Sequence, residues 1–218
     1  YMVCGGFGAR NYYYTENNAW TYIWDVQHDL PGLVRLFGGE AQMAAKLDRM
    51  LTASVGPRWK FAREMPDGCT GLMGAFTMAN EPSFHIPYLY NYAGAPWKTQ
   101  RFVRRTLDCW FRNDKMGMCG GMSAYAVFSM MGFYPVTPGL PEYQWGSPVF
   151  RKVTIALENG RTFVLEAPEA SADAKYIQSV SVGGVVRKGT VLPHADLVRG
   201  ARVVVTMGTR PNTAWGVR

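Results

Sequence analysis

The sequence changes its spacing of apolar residues near residue 150, and this change constrains the fold more than any other feature. Before this point apolar residues recur at the spacing of an α-helix. Met43, Leu47, Met50 and Leu51, for example, lie on one helical face. Proline and glycine positions mark further helix starts and ends. Four helices are predicted in this way, over residues 31–37, 43–51, 97–110 and 122–131.

After residue 150 the pattern is that of β-strands. Residues 153–157 and 162–165 flank Asn159-Gly160, and Asn-Gly is the strongest short hairpin signal. Residues 176–182 and 185–186 flank Gly183-Gly184 and form a second predicted hairpin. A last strand is predicted over residues 202–207.

The predicted class is therefore α+β, with a helical unit over residues 1–145 and a small antiparallel β unit over residues 146–218. The helical unit has only about five helices, joined by long loops rich in glycine and aromatic residues. Loops of that length in a compact domain are usually functional. Burying so many aromatic side chains needs more helices than this chain supplies, so we expect it to form part of a larger structure.

The net charge of +7 raises the possibility of nucleic-acid binding. Its densest basic group consists of Lys98, Arg101, Arg104 and Arg105. This group is better interpreted as the solvated face of a helix, and no common nucleic-acid motif accompanies it. We therefore expect no nucleic-acid partner.

The cysteine spacing and the apolar runs argue against a structural zinc site and against a membrane span. Cys4, Cys69, Cys109 and Cys119 form no CxxC pair, so a structural zinc site is not expected, and whether Cys109 and Cys119 pair stays open. No apolar run approaches the roughly 20 residues of a membrane span. The opening YMVCGGFGAR has no signal-peptide pattern, which says little about export.

Glu16 is the first candidate for chemistry, because it lies in a stretch rich in aromatic residues, YTENNAWTYIW. Desolvation by such neighbours disfavours an ionised carboxylate and raises its pKa. A carboxyl group of this kind can act as a general acid, and aromatic rings stack on sugar rings. A surface glutamate beside core aromatics is an equally weighted alternative.

Asn80 and Glu81 form the second candidate site, in the stretch NEPSFHIP. Adjacent amide and carboxylate oxygens on a proline-stiffened backbone suit a hard cation such as calcium. From these residues alone a helix-entry loop is the favoured interpretation. His85 is by itself more typical of a structural histidine than of a ligand. The aromatic residues 88–100 are interpreted as packing, and the glycine-rich residues 116–125 do not match a phosphate-binding loop.

In this order, the segments resemble glycoside hydrolase family 92. The family stretch YTEGNAWQYTWFVPHD corresponds to YTENNAWTYIWDVQHD, and GNEPSHHIPYLYNYAGQPWKTQ corresponds to ANEPSFHIPYLYNYAGAPWKTQ. Later, QMSAWYVFSALGFYPV, GSPLFDKVTIHLPNGKTF and YIQSVTLNG correspond to GMSAYAVFSMMGFYPV, GSPVFRKVTIALENGRTF and YIQSVSVGG. The similarity covers essentially the whole chain.

The resemblance implies an N-terminal β-sandwich and an (α/α)6 toroid, of which this chain would hold the second half of the toroid and the final strands. It implies an inverting exo-acting α-mannosidase that removes terminal α-linked mannose from glycans with the help of Ca2+. By motif position Glu16 is the general acid, and Asn80 and Glu81 belong to the metal site. The implied substrate-binding residues are Trp20, Tyr22, Trp24, His28, Asp29 and His85. The implied partners are a mannose-containing glycan and the N-terminal β-sandwich of the same protein, and the implied location is secreted or periplasmic.

The sequence departs from the family where the general base is expected. Family members carry a loop such as GLCGNEDCGQMSAW, whereas this chain has GMCGGMSAY, about five residues shorter and without the acidic ones. Asp114 is the candidate replacement, and it requires the shortened loop to turn inward. Asn17, Thr21, Phe84 and Ala95 also differ from the family stretches.

Three hypotheses follow for function. The protein is an active α-mannosidase with an unusual base, a family member without catalysis that binds glycan or has a structural role, or a fragment without independent activity. The sequence does not indicate the linkage specificity.

Overall fold

The computed structural model describes residues 19–53, 74–76, 78, 81–111 and 120–217. Within these ranges it has six α-helices: α1 (Ala19–Tyr22), α2 (Leu30–Leu36), α3 (Glu40–Thr52), α4 (Pro96–Trp110), α5 (Gly120–Met131) and α6 (His194–Val198). Three 3₁₀ turns accompany them: Gln27–Asp29, Glu81–Ser83 and Ile86–Asn91. In the described part of the chain, no helix is long and apolar enough to cross a membrane.

The described strands are β1 (Phe133–Tyr134), β2 (Glu142–Trp145), β3 (Lys152–Ala156), β4 (Thr162–Glu166), β5 (Tyr176–Val182), β6 (Val185–Arg187), β7 (Val191–Pro193) and β8 (Arg202–Gly208). They form a three-stranded sheet in the order β1-β2-β7 and a five-stranded sheet in the order β3-β4-β8-β5-β6. The predicted α+β class is confirmed. The division at residues 145 and 146 stays a prediction.

All four predicted helices are confirmed as α2 to α5. Helix α2 begins where expected because Pro31 suits the first turn and the Asp29 carboxylate accepts a hydrogen bond from the Gly32 amide at 2.8 Å. It ends at Gly38 and Gly39, whose φ angles of 86° and 118° are costly for other residues. The short helices α1 and α6 were not predicted, because four or five residues carry too little periodicity.

Both predicted hairpins are confirmed, and β3 pairs antiparallel with β4 around the Asn159-Gly160 turn. β5 pairs antiparallel with β6 and with β8. One pair differs from the expectation of an antiparallel unit, since β4 and β8 run parallel. The crossover through the second hairpin and α6 returns the chain to β4 in the same direction, which a sequence pattern does not reveal.

Helix α4 joins the helical half to the sheet, and Arg104 is central to this contact. Arg104 is buried, and its guanidinium donates to the carbonyls of Pro148 at 2.8 Å and Ser171 at 2.6 Å. One turn earlier, the Gln100 side chain accepts a hydrogen bond from the Ile177 amide at 3.0 Å. The interpretation of Arg104 as part of a solvated face was therefore wrong. Arginine spacing on a helix does not show that the opposite face is covered by another element.

Candidate functional site

A polar cleft of about 350 Å³ opens where two of the predicted motif segments meet. One wall comes from the segment after α1 and the other from the 3₁₀ turn Glu81–Ser83, and α1 contacts this turn. The floor comes from the chain that follows β1. The cleft is lined by Asp25, Gln27, Glu81, Pro82, Phe84, His85, Tyr134, Pro135, Val136 and Pro138. Its volume lies at the lower end of ligand pockets, which suits one small polar ring.

His85 joins the two walls of the cleft through hydrogen bonds. Its Nε2 lies 2.7 Å from the Trp24 carbonyl oxygen, and its Nδ1 lies 2.7 Å from the Gln27 Nε2. Because an amide nitrogen can only donate, Gln27 donates to Nδ1, and Nε2 carries the proton that is donated to Trp24. Both ring nitrogens are thus occupied, and His85 has a positioning role in this arrangement.

The protonation state of His85 agrees with these hydrogen bonds. Burial lowers the pKa of His85 from 6.5 to about 4, while the Trp24 carbonyl and the charge of Asp25 act in the opposite direction. The ring is 1% exposed, so solvation of an imidazolium is lost. His85 is therefore neutral near pH 7 and is suited to join two loops.

A tight turn of the backbone places Asp25 at the cleft. The Val26 amide donates to the Trp24 carbonyl at 2.7 Å, which makes Asp25 the central residue of a three-residue turn. The Asp25 amide donates to the Tyr22 carbonyl at 3.2 Å. The Asp25 side chain is exposed and lines the cleft. Trp24, the first residue of the turn, and Gln27, which follows the turn, each form a hydrogen bond with His85.

Glu81 is exposed, lines the same cleft and lies beside the entry to α5. A Cβ atom built on Gly121 would lie 3.1 Å from Phe84 Cε2 and 3.6 Å from Glu81 Cγ. The first turn of α5 therefore approaches this wall closely. The loop whose shortening the sequence indicates, residues 112–119, ends at this point but lies outside the described residues.

The aromatic residues that were expected to contact sugar are not among the residues lining this cleft. Trp24 is 0% exposed, stacks on Phe37 with centroids 5.0 Å apart, and donates from Nε1 to Met50 Sδ at 3.3 Å. No part of its ring faces solvent, so Trp24 supports the cleft from behind. Trp20 and Tyr22 are half-buried, and Lys46 Nζ lies 4.4 Å from the centroid of Trp20.

The remaining predicted site residues lie either at exposed positions or outside the described residues. His28 and Asp29 are exposed, and Asp29 caps α2. Glu16, Asn80 and Asp114 lie outside the described residues, and so does Cys119. Of the predicted set, the cleft lining brings together Glu81 and His85.

Asp25 and Gln27 are cleft residues that the sequence analysis did not single out. A signal for them exists, because the family stretch YTEGNAWQYTWFVPHD has Phe and Pro at the two positions where this chain has Asp25 and Gln27. A letter-by-letter comparison therefore indicates two new polar groups in one short segment. Only the fold shows that both groups line the same cleft as Glu81.

The cleft lining includes two carboxylates, one side-chain amide and three prolines. Carboxylate oxygens bind sugar hydroxyls and hard cations, and a carboxylate can also accept a proton from water. Among the described residues, no group of three or more His, Cys, Asp or Glu side chains could hold a metal ion by itself.

Comparisons with known proteins give one consistent result. The model of the glycosyl hydrolase family 92 catalytic domain matches residues 5–209. A family GH92 α-mannosidase from Bacteroides thetaiotaomicron, in complex with mannoimidazole, has a TM-score of 0.84 at 30% identity, over 94% of this chain and 27% of that chain. A family GH92 inverting mannosidase from Bacteroides thetaiotaomicron VPI-5482 has a TM-score of 0.80 at 35% identity, over 98% of this chain and 30% of that chain.

A curated relative is an uncharacterized secreted glycosidase from Arthroderma benhamiae. It is 26% identical over 219 residues, which cover 93% of this chain and 25% of that protein. The chain therefore spans only a quarter to less than a third of the length of these relatives.

Proposed function

Because the chain belongs to glycosyl hydrolase family 92, we propose that its protein is an inverting exo-α-mannosidase that removes terminal α-linked mannose from glycans with the help of calcium. The rest of the toroid and the N-terminal β-sandwich would come from the remainder of the protein. Both bacterial relatives are mannosidases, which supports the substrate class.

The polar cleft is the observation that carries this proposal. Glu81 and His85, which the motif order assigns to the sugar and metal region, line one small cavity with Asp25 and Gln27. A cavity of about 350 Å³ has room for a single sugar ring. The ring-stacking role proposed for Trp20 and Tyr22 requires the cleft to extend toward α1 in the whole protein.

In the proposed reaction Glu16 acts as the general acid and protonates the oxygen of the departing group. A water molecule attacks the anomeric carbon from the opposite face, and a second carboxylate accepts a proton from this water. Inversion requires roughly 6.5–9.5 Å between the two carboxyl groups, so that the water fits between them. Proton transfer by each group typically contributes about 10²–10⁴-fold to the rate.

The cleft residues suit calcium in the chemistry of their donors. Calcium takes six to eight oxygen ligands, and the exposed Glu81 carboxylate is a donor of this type. We propose that Asn80 and Glu81 hold the ion and that sugar hydroxyls supply further ligands, since the described acidic side chains do not form a cluster of three. When bound, the ion would orient the 2- and 3-hydroxyls of the terminal mannose.

Hydrolysis by the full-length protein tests the proposal. With calcium present, we expect mannose to be released from an α-linked mannobiose, and EDTA to abolish the release. Glu16→Gln is expected to lower kcat by about 10²–10⁴-fold, because the leaving group loses its acid. Glu158→Gln, at an exposed position of the β3–β4 turn, is the matched control and should keep the wild-type rate.

The same assay separates the active enzyme from a family member that only binds glycan. Calcium-dependent mannoside binding in calorimetry, without any release of mannose, would contradict the proposal and favour a glycan-binding protein. Absence of both binding and release would leave a structural role.

We also propose that the protein is exported. The fungal relative is named a secreted glycosidase. Detection of the mature protein outside the cytoplasm by fractionation and immunoblotting tests this proposal.

A further inference from the structure

Three basic residues of helix α4 line a second cavity, which has a volume of about 430 Å³. Lys98, Arg101 and Arg105 are spaced at i, i+3 and i+7, so their side chains leave the same face of the helix. No Asp or Glu is among the described residues that line this cavity. It shares no lining residue with the polar cleft, so the proposed hydrolysis does not account for its charge.

Lys98 is the basic residue that the fold holds in place. Its Nζ lies 2.5 Å from Asp48 Oδ2, and its side chain is 20% exposed. The other oxygen of Asp48 accepts a hydrogen bond from the Tyr90 hydroxyl at 2.7 Å. Asp48 therefore orders Lys98 and offsets one of the three positive charges, which leaves a net charge of +2 around the cavity.

Arg101 and Arg105 have no such partner among the described residues. Both are exposed, and neither forms an ion pair with a described carboxylate. Like charges four residues apart destabilise a helix slightly, so the fold gains nothing from this pair. The guanidinium carbon of Arg101 lies 5.3 Å from the centroid of the Trp97 ring. Such stacking orders the guanidinium and leaves its N–H groups free to bind an anion.

The rest of the lining is mainly apolar, which adds a second requirement on the ligand. Tyr90 and Phe102 are buried with ring centroids 6.4 Å apart, and the half-buried Leu51 lies beside the same cavity. A volume of about 430 Å³ is in the range of pockets for small molecules. The lining therefore suits a small molecule that combines an anionic group with an apolar or ring portion.

We propose that this cavity binds a small phosphate-bearing ligand through Arg101 and Arg105, with Lys98 as a third positive charge. A phosphate monoester carries a charge between about −1.5 and −2 near pH 7, which matches the net charge of the cavity. Guanidinium groups also bind phosphate oxygens through paired hydrogen bonds. This inference does not rest on the mannosidase activity.

Calorimetry on the full-length protein with phenyl phosphate as the probe tests the proposal. We expect phenyl phosphate to bind, phenyl sulfate to bind more weakly because it carries one charge, and phenol not to bind. Arg101→Gln and Arg105→Gln should each weaken the binding of phenyl phosphate by about 10-fold, because each removes charged donors. Arg187→Gln, at an exposed position of β6, is the matched control and should leave the affinity unchanged.

Asp48→Asn gives an effect of the opposite sign. The asparagine keeps an oxygen that can accept from the Tyr90 hydroxyl, but it removes the negative charge beside Lys98. The affinity for phenyl phosphate should therefore rise severalfold. Thermal unfolding identifies any loss of stability in this variant, and in that case the two exposed arginines alone decide the test.

The outcomes keep this inference separate from the proposed function. A protein that binds phenyl phosphate through Arg101 and Arg105 supports it, whether or not mannose is released from a mannoside. A folded wild type that does not bind phenyl phosphate overturns it. Equal weakening in Arg187→Gln, or equal affinity for phenol, overturns it as well, because the first indicates nonspecific attraction and the second a purely apolar pocket.

Discussion

The helical half and the sheet half of the chain have separate hydrophobic cores that are built in different ways. The helical core combines large aromatic rings with buried hydrogen bonds, such as Tyr88 to Ser129 at 2.9 Å and Tyr90 to Asp48 at 2.7 Å. The sheet core consists of residues that alternate along strands, such as Phe163 and Leu165 on β4. The polar cleft is supported by the first kind of core. The candidate cleft therefore depends on specific polar contacts, whereas the sheet depends mainly on periodic burial.

Truncation of one large ring in each core gives the largest expected effects. Trp24→Ala and Phe163→Ala each remove a fully buried ring, so each should lower the free energy of unfolding by about 3–5 kcal/mol in urea titrations. Only Trp24→Ala is expected to weaken mannoside binding, because Trp24 is the first residue of the turn that places Asp25 at the cleft. Equal weakening of mannoside binding in the folded fraction of both variants would contradict the separation of the two cores.

His85 gives a pH-dependent test of the polar contacts. Its pKa is about 4 in the folded protein and 6.5 in the unfolded chain, so between these values the unfolded state binds more protons. Stability should therefore decrease as the pH falls from about 6.5 to about 4, by an amount on the order of 3 kcal/mol for this group. Unfolding curves at several pH values measure the slope.

His85→Gln should flatten this slope, since the replacement does not ionise. His28→Gln, at an exposed position, is the control for the loss of an imidazole. An unchanged slope in His85→Gln would show that other groups cause the pH dependence.

The difference between the two cores also explains what could be predicted from the sequence. Both hairpins were predicted because alternation and the Asn159-Gly160 turn are local signals. Helices α2 to α5 were predicted because their apolar stripes and end signals are local as well. The parallel pairing of β4 with β8 and the burial of Arg104 were missed, because both depend on elements that are distant in sequence.

The candidate site was predictable only in part. The motif order indicated Glu81 and His85, and both line the cleft. It could not separate Trp24, whose ring is buried, from aromatic residues at the surface, because both occur in the same short aromatic segment. Asp25 was missed for a related reason, since an isolated aspartate in a loop has no local signal and only the fold shows that it lines the cleft.

Substitution of Arg104, at the contact between the two halves, is expected to have a smaller effect on the free energy of unfolding. Arg104→Met removes the donors to the Pro148 and Ser171 carbonyls, so the acceptor on the buried Pro148 loses its partner. We expect the free energy of unfolding to fall by about 1–3 kcal/mol in urea titrations. The exposed Arg105→Met is the control and should stay within about 0.5 kcal/mol of the wild type. Equal stabilities of the two variants would mean that the buried arginine does not join the halves.

The stereochemistry of hydrolysis is a direct test of the proposed inverting α-mannosidase activity. The full-length protein, supplied with calcium and an aryl α-mannoside, can be followed by proton NMR during the first turnovers. We expect β-mannose to appear first and the α-anomer to accumulate only later through mutarotation. Release of α-mannose as the first product, or no release of mannose, would contradict it.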